Sequence, residues 1–198
     1  MQRTTRWTMM AAALVLAGCG GSNDATGPGG GGGGGGGGTA AFSAQVTGDV
    51  QSNIEGTASF GSGTDSAGNT LHMIQLLGTG ANAGGKIQFA RTGAQGFGAG
   101  TYPIFAAGNG APADGDVVAV LIDQNGPQLN AIFAGSGGSI TVTSSSGTKV
   151  AGLFTFDATG AVLTNPTATL AITVSGTFTA DPALGSLTVT SAQVRRSH

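Results

Sequence analysis

The chain has 198 residues, 39 of them glycine, with 8% charged and 6% aromatic residues and a mean hydropathy of +0.19. An apolar fraction of 39% with so little charge excludes a disordered tail, and glycines without a period of three exclude collagen. Net charge is −2; once Arg3 and Arg6 are set apart, five basic residues face nine acidic ones from Cys19 onward, and that −4 with so few rings argues against a nucleic-acid partner.

Residues 1–18 read as a signal peptide: a basic start from Met1 to Arg6, an apolar stretch from Trp7 to Leu16, then small residues before Cys19. The apolar stretch is shorter than the roughly 20 residues a spanning helix needs. Leu16-Ala17-Gly18-Cys19 resembles the lipobox of bacterial lipoproteins at all four positions. That resemblance implies that the Cys19 thiol is alkylated by diacylglycerol, that residues 1–18 are removed, and that the new amino terminus is acylated. It also implies the outer membrane of the cell envelope, because Gly20 and Gly21 stand where Asp would mark inner-membrane retention in many Gram-negative lipoproteins. The plain reading of Cys19 is a buried thiol, and the chain holds no second cysteine to pair with it. One acyl chain holds a protein only marginally, whereas two or three hold it stably, so the partner expected here is a membrane.

Residues 19–38, with the unbroken run from Gly29 to Gly38, then read as lipidated cysteine and flexible tether. Such a chain has a mean reach on the order of 25 Å. A phosphate-cradling loop is not indicated, since no strand precedes the run and no Lys-Ser or Lys-Thr follows it.

Residues 39–198 are expected to form a single all-β domain, an antiparallel sandwich or barrel of short strands. Strand-like runs in chain order are Thr70–Leu77, Lys86–Arg91, Val117–Ile122, Gln128–Ala134, Ser139–Ser144, Thr148–Phe156, Ala168–Ala180 and Ser186–Val194. Turns are expected at Asp123–Pro127, Ser144–Gly147 and Asp157–Gly160. Ala168–Ala180 alternates most clearly, apolar on one face and mostly hydroxyl on the other. Val117–Ile122 differs, being apolar on both faces, and is expected to lie centrally, covered on both sides. No helical stripe is present.

A small motif recurs: Ile54-Glu55-Gly56-Thr57-Ala58, Val150-Ala151-Gly152-Leu153-Phe154 and Val174-Ser175-Gly176-Thr177-Phe178. In each, a β-branched residue, a glycine and an apolar residue share one strand face. Such a glycine bends the strand or makes room for a neighbouring ring. "GDVQSNIEGTASF", "GTYPI" at Gly100–Ile104, "GGSITVTSSSGTKVAGLFTFDA" at Gly137–Ala158 and "VSGTFTA", taken together, are similar to uncharacterised secreted bacterial lipoprotein domains of the DUF6252 type. The resemblance implies a β-rich envelope domain and brings no activity, cofactor or catalytic residue with it.

Chemistry-bearing residues are sparse. His72 falls in an expected strand and His198 ends the chain, so a Ser-His-Asp arrangement would have to be built on His72, without a Gly-x-Ser-x-Gly elbow in the body. Asp114, Asp116, Asp123 and Asn125 offer oxygen ligands of the kind Ca²⁺ takes, but they bracket Val117–Ile122 on the order of 20 Å apart and match no EF-hand. No zinc set, cofactor motif or catalytic residue is assigned. The readings that stand are a non-enzymatic envelope lipoprotein acting as a binding or structural module, a calycin-like carrier of a small apolar ligand, and, third, a hydrolase. A carrier requires an internal cavity; a structural module has a filled core.

Overall fold

The computed structural model describes residues 40–64, 68–123, 131–162 and 165–183, with the side chains of 165–168 left aside. The signal peptide, Cys19, the glycine tether, Asn125, most of the Asp123–Pro127 turn and the Ser186–Val194 run lie outside the described residues. Among the described residues nine strands follow in order: β1 (Ala41–Gly48), β2 (Ser52–Thr64), β3 (Thr70–Gly78), β4 (Gly85–Thr92), β5 (Gly100–Pro103), β6 (Val117–Asp123), β7 (Ala131–Ser145), β8 (Val150–Val162) and β9 (Asn165–Pro182).

Of the two β architectures the sequence leaves open, the chain adopts the barrel. β1, β2, β3, β4, β6, β7, β8 and β9 pair in that order, each antiparallel to the next, and β9 closes the ring on β1 from Ala41↔Thr179 to Gly48↔Ile172. β5 is the extra strand. β6 pairs with β7 only from Val120↔Ala134 to Asp123↔Ala131, and β5 takes up the rest of that β7 edge from Gly100↔Val142 to Pro103↔Ser139. Ile104, Phe105 and Ala107 then donate their N–H groups to Gly138, Val117 and Gly135 at 2.9, 2.7 and 2.9 Å, so the chain wedged into the split seam keeps its backbone paired.

Period-two alternation decides which residues meet inside. Ile74 and Leu76, Ile87 and Phe89, Val117, Ala119 and Leu121, Phe154, Phe156 and Ala158, and Val174 and Phe178 all point inward and are buried. Phe89 is the hub: its ring centroid lies 5.2 Å from Phe154 and 5.7 Å, edge-on, from Phe156, while Phe154 is also 6.4 Å from Phe178. Such pairs each add about 0.5–1.5 kcal/mol beyond their buried area. Side chains fill the middle of the barrel.

The recurrent glycines explain how so many rings fit. Gly152 is directly opposite Phe178, and Phe154 directly opposite Gly176. A Cβ at Gly152 would fall on the Thr141 carbonyl oxygen and 3.1 Å from the Phe178 ring; one at Gly176 would fall on the Ser43 carbonyl and 2.8 Å from the Phe154 ring. The second reading of the motif therefore holds: the partner's ring occupies the space beside each glycine, and a neighbouring strand's carbonyl lies where its Cβ would be.

Three sequence expectations change. The described part of Gln128–Ala134, from Ala131, and Ser139–Ser144 belong to one strand, β7, which absorbs the glycines between them with a register shift at Gly135/Gly137 and has a second at Val142/Ser144. Asp157–Gly160 is no turn: Ala158 is buried, and β8 runs through it to Val162 because inward apolar positions continue on both sides. β6 is not covered on both sides, since a barrel has a single inner face; its outward Val118, Val120 and Ile122 are half-buried at the surface.

Gly176→Ala should destabilise the barrel by about 1–3 kcal/mol through overpacking, read as a fall in thermal midpoint of roughly 2–4 °C per kcal/mol. Phe154→Ala, which empties the same contact, should cost about 3–5 kcal/mol. A Gly176→Ala chain as stable as the parent would show that the close approach is not tight.

Candidate functional site

With the middle of the barrel filled, room for a site is sought at its ends and outside. At one end β2, β4, β7 and β9 finish and β3, β6 and β8 begin, and there the long connection 93–116 folds back over the opening. Arg91, the last inward residue of β4, holds it: Nη1 donates to the carbonyls of Gln95, at 2.8 Å, and Gly96, Nε donates to Gly115 at 3.3 Å, and the guanidinium lies 4.9 Å from the centre of the Tyr102 ring. Ser145 Oγ donates to the Phe97 carbonyl at 2.7 Å and the Tyr102 hydroxyl to Gly98 at 2.9 Å. The result is a strap over residues 93–99 that seats the buried Phe97 edge-on against Tyr102, ring centroids 5.6 Å apart.

Beneath the strap lies a cavity of about 250 Å³ lined by Phe60, Ser62, His72, Met73, Phe97 and Val150 among others. His72 faces inward, directly opposite Arg91 across β3 and β4. Its Nε2 is shut off from solvent without a hydrogen-bond partner, and a Cβ at Gly96 would sit 3.3 Å from its Nδ1. No described hydroxyl or carboxylate hydrogen-bonds this imidazole, so the geometry brings no serine or acid to it as a triad would require. Leaving a buried nitrogen unpaired costs about 1–3 kcal/mol.

The carboxylates named as calcium candidates do not gather. Asp114 and Asp116 lie in the turn that leads into β6, where Asp116 Oδ2 accepts the Ala113 N–H at 2.8 Å and its own N–H donates to the Ala113 carbonyl at 3.1 Å. That is the local work of a turn-forming Asp. Asp123, buried, ends β6 at the opposite end of the barrel. Among the described residues no three of His, Cys, Asp and Glu come close enough to hold a metal ion.

The outside of the barrel has two characters. On β8, β9 and β1 the outward positions are exposed and mostly hydroxyl-bearing, with Thr155, Thr159, Thr173, Ser175, Thr177, Ser43 and Thr47 among them. A shallow hollow of about 470 Å³ between Ser43, Gln45, Asn53, Glu55, Ser175 and Thr177 belongs to this side and contains no ring. On β3, β4, β6 and the start of β7 the outward positions are mostly apolar, with Gln75, Lys86 and Gln88 as the polar exceptions. One row crosses all four strands as Leu77–Lys86–Ile122–Ile132, and the next two read Gln75–Gln88–Val120–Ala134 and Met73–Ala90–Val118. Lys86 stands in the first row, its ammonium held below the usual lysine value by burial.

Arg91, Phe97 and Tyr102, which build the strap, were not singled out by the sequence. The signal was there in "RTGAQGFGAGTYPI", where a cation and two rings stand in an otherwise small-residue connection too long for a hairpin. No family model, curated protein or solved structure matches the chain.

Arg91→Met should leave β8 and β9 protected while amides of residues 95–98 exchange faster, as read by hydrogen–deuterium exchange; unchanged strap protection would mean that the guanidinium does not hold it. A second expectation concerns Lys86. Because its folded-state value lies below the ordinary 10.5, the unfolded chain binds the extra proton between the two values, and stability rises with pH across that window. Lys86→Met should therefore raise the thermal midpoint near neutral pH, with the gain shrinking as pH approaches lysine's ordinary range.

Proposed function

We propose that the chain is a lipid-anchored cell-envelope protein whose barrel serves as a non-enzymatic binding or structural module. The anchor rests on Leu16-Ala17-Gly18-Cys19 and the basic and apolar segments before it, and the glycine run after Cys19 gives the body its freedom from the surface. The observation that carries the module reading is the filled interior: Phe89, Phe133, Phe154 and Phe156 are fully buried in the barrel, where a carrier would keep space.

A carrier remains the second reading. The closed eight-strand meander is the architecture that such proteins use, and the cavity under Phe97 is the specific feature in its favour. Its volume lies between the ~150 Å³ that admits benzene and the ~300 Å³ at which drug-sized pockets begin, so a carried molecule would be small and held at the mouth.

Cys19→Ser should abolish lipid labelling and release the chain from membranes. A variant that still fractionates with membranes would remove the anchor from this reading. Native mass spectrometry of the detergent-solubilised full chain separates module from carrier: polypeptide plus covalent acyl mass supports the module, and additional mass lost on unfolding supports the carrier.

A further inference from the structure

The aliphatic run Val117–Ile122 is only half used by the barrel core, and its other half lies on the outer surface. Val117, Ala119 and Leu121 enter the interior, whereas Val118, Val120 and Ile122 join Leu77, Ala90, Ile132 and Ala134 outside, over an area on the order of 14 by 13 Å. Leu77 and Ile132, at opposite ends of the first row, are 41% and 40% exposed. Lys86 lies between Leu77 and Ile122, and no described carboxylate pairs with it. The carboxylates on outward strand positions, Glu55, Asp157 and Asp181, stand on β2, β8 and β9. Among the described residues the β3–β4–β6–β7 side is therefore largely aliphatic, with Gln75, Gln88 and the single cation Lys86 and without an outward acid, whereas the other side is mostly hydroxylated and carries the acids together with one exposed aliphatic residue, Leu153.

We propose that this β3–β4–β6–β7 face rests on the surface of the bilayer that holds the anchor, with Leu77, Ile122 and Ile132 at the headgroup boundary and the Lys86 ammonium on an anionic lipid phosphate. A lysine flanked by aliphatic side chains is suited to that place, since its stem packs with them and its head reaches for the polar layer. The inference rests on the proposed lipid anchor. A free body would hold such a small face to lipid only weakly, but the proposed anchor, some twenty residues away in sequence, would supply an effective concentration on the order of millimolar, which makes a weak contact sufficient. The tether also reaches far enough. β1, where the described chain begins, lies diametrically across the barrel from β6, and a mean reach of about 25 Å spans that width.

Tryptophan scanning of the anchored chain tests the orientation. Trp7, the chain's single tryptophan, lies in the segment that processing removes, and the parent chain gives the background. In vesicles of phosphatidylethanolamine and phosphatidylglycerol with brominated acyl chains, fluorescence of Ile132→Trp should be quenched, and that of Thr177→Trp on β9 should keep its intensity. Adding Lys86→Gln to Ile132→Trp should weaken the contact about fivefold, the effect of one cation at an anionic surface. Equal quenching of both variants, or none in either, overturns the proposal. Shielding of Ile132→Trp from aqueous acrylamide without bromolipid quenching also overturns it, and assigns the face to a second copy or another envelope protein. The mass of the same sample reports whether Cys19 carries lipid. Where it does not, the anchor reading fails by itself, and coupling the Cys19 thiol to a maleimide phospholipid lets the same quenching comparison decide on the face.

Discussion

The barrel depends on one reciprocal contact, glycine against phenylalanine across β8 and β9. Closing eight strands brings neighbouring backbones close together, and a position in which a neighbouring carbonyl lies where Cβ would be is open only to glycine. Glycine alone would leave a void, and voids forfeit contacts on every lining atom. Phe178 over Gly152 and Phe154 over Gly176 remove both, and Phe89 and Phe156 extend the same cluster across the barrel. A chain with few large side chains thereby obtains a packed interior, because rings stand opposite glycines.

The same solution displaces function. Rings that close the barrel occupy the volume in which an open-mouthed carrier holds its ligand, so open space is left at the ends and the outside. At the one end described in most detail, an arginine whose hydrogen bonds go to three carbonyls organises a strap without forming an ion pair among the described residues. The arrangement is positional: it fixes Phe97 as a plug and leaves His72 beneath it.

Alternation was the most readable property of the sequence, and it was read best where one face is mostly hydroxyl, as in Ala168–Ala180. It failed where glycine interrupts it. The stretch Gly135–Gly138 looks like a break between two strands, yet β7 carries through as a bulged edge because β8 pairs on one side and β5 and β6 share the other. Asp157–Gly160 has turn composition, but its inward positions are small enough to sit in the barrel wall, and pairing with β9 outweighs local preference. β1 and β5 were not separated from their surroundings, the first because its outward residues are as small as its loops, the second because it is four residues long. Barrel rather than sandwich depends on β9 meeting β1, a contact between residues more than 120 positions apart, and no local pattern carries it. For the site, His72 was visible as a residue and its inward direction follows from strand parity. Its neighbours were not visible, because Arg91 and Phe97 act through backbone carbonyls of a connection with no period.

Val117–Ile122 shows why an apolar run is more informative than its place in the core. A strand apolar on both faces leads to the expectation of two covering layers, and a barrel supplies one. The second set of aliphatic side chains is then either accidental or directed at something outside the chain. Against accident stands the register: three outward aliphatic residues of β6 align with Leu77, Ala90, Ile132 and Ala134 on three other strands, interrupted only by Gln75, Gln88 and Lys86, and every described outward strand acid lies elsewhere. Lys86 makes the arrangement asymmetric, since burial among aliphatic groups penalises its charge unless an anion meets it. A barrel with a filled interior, a mostly hydroxylated side and a largely aliphatic side with one cation has a direction in space.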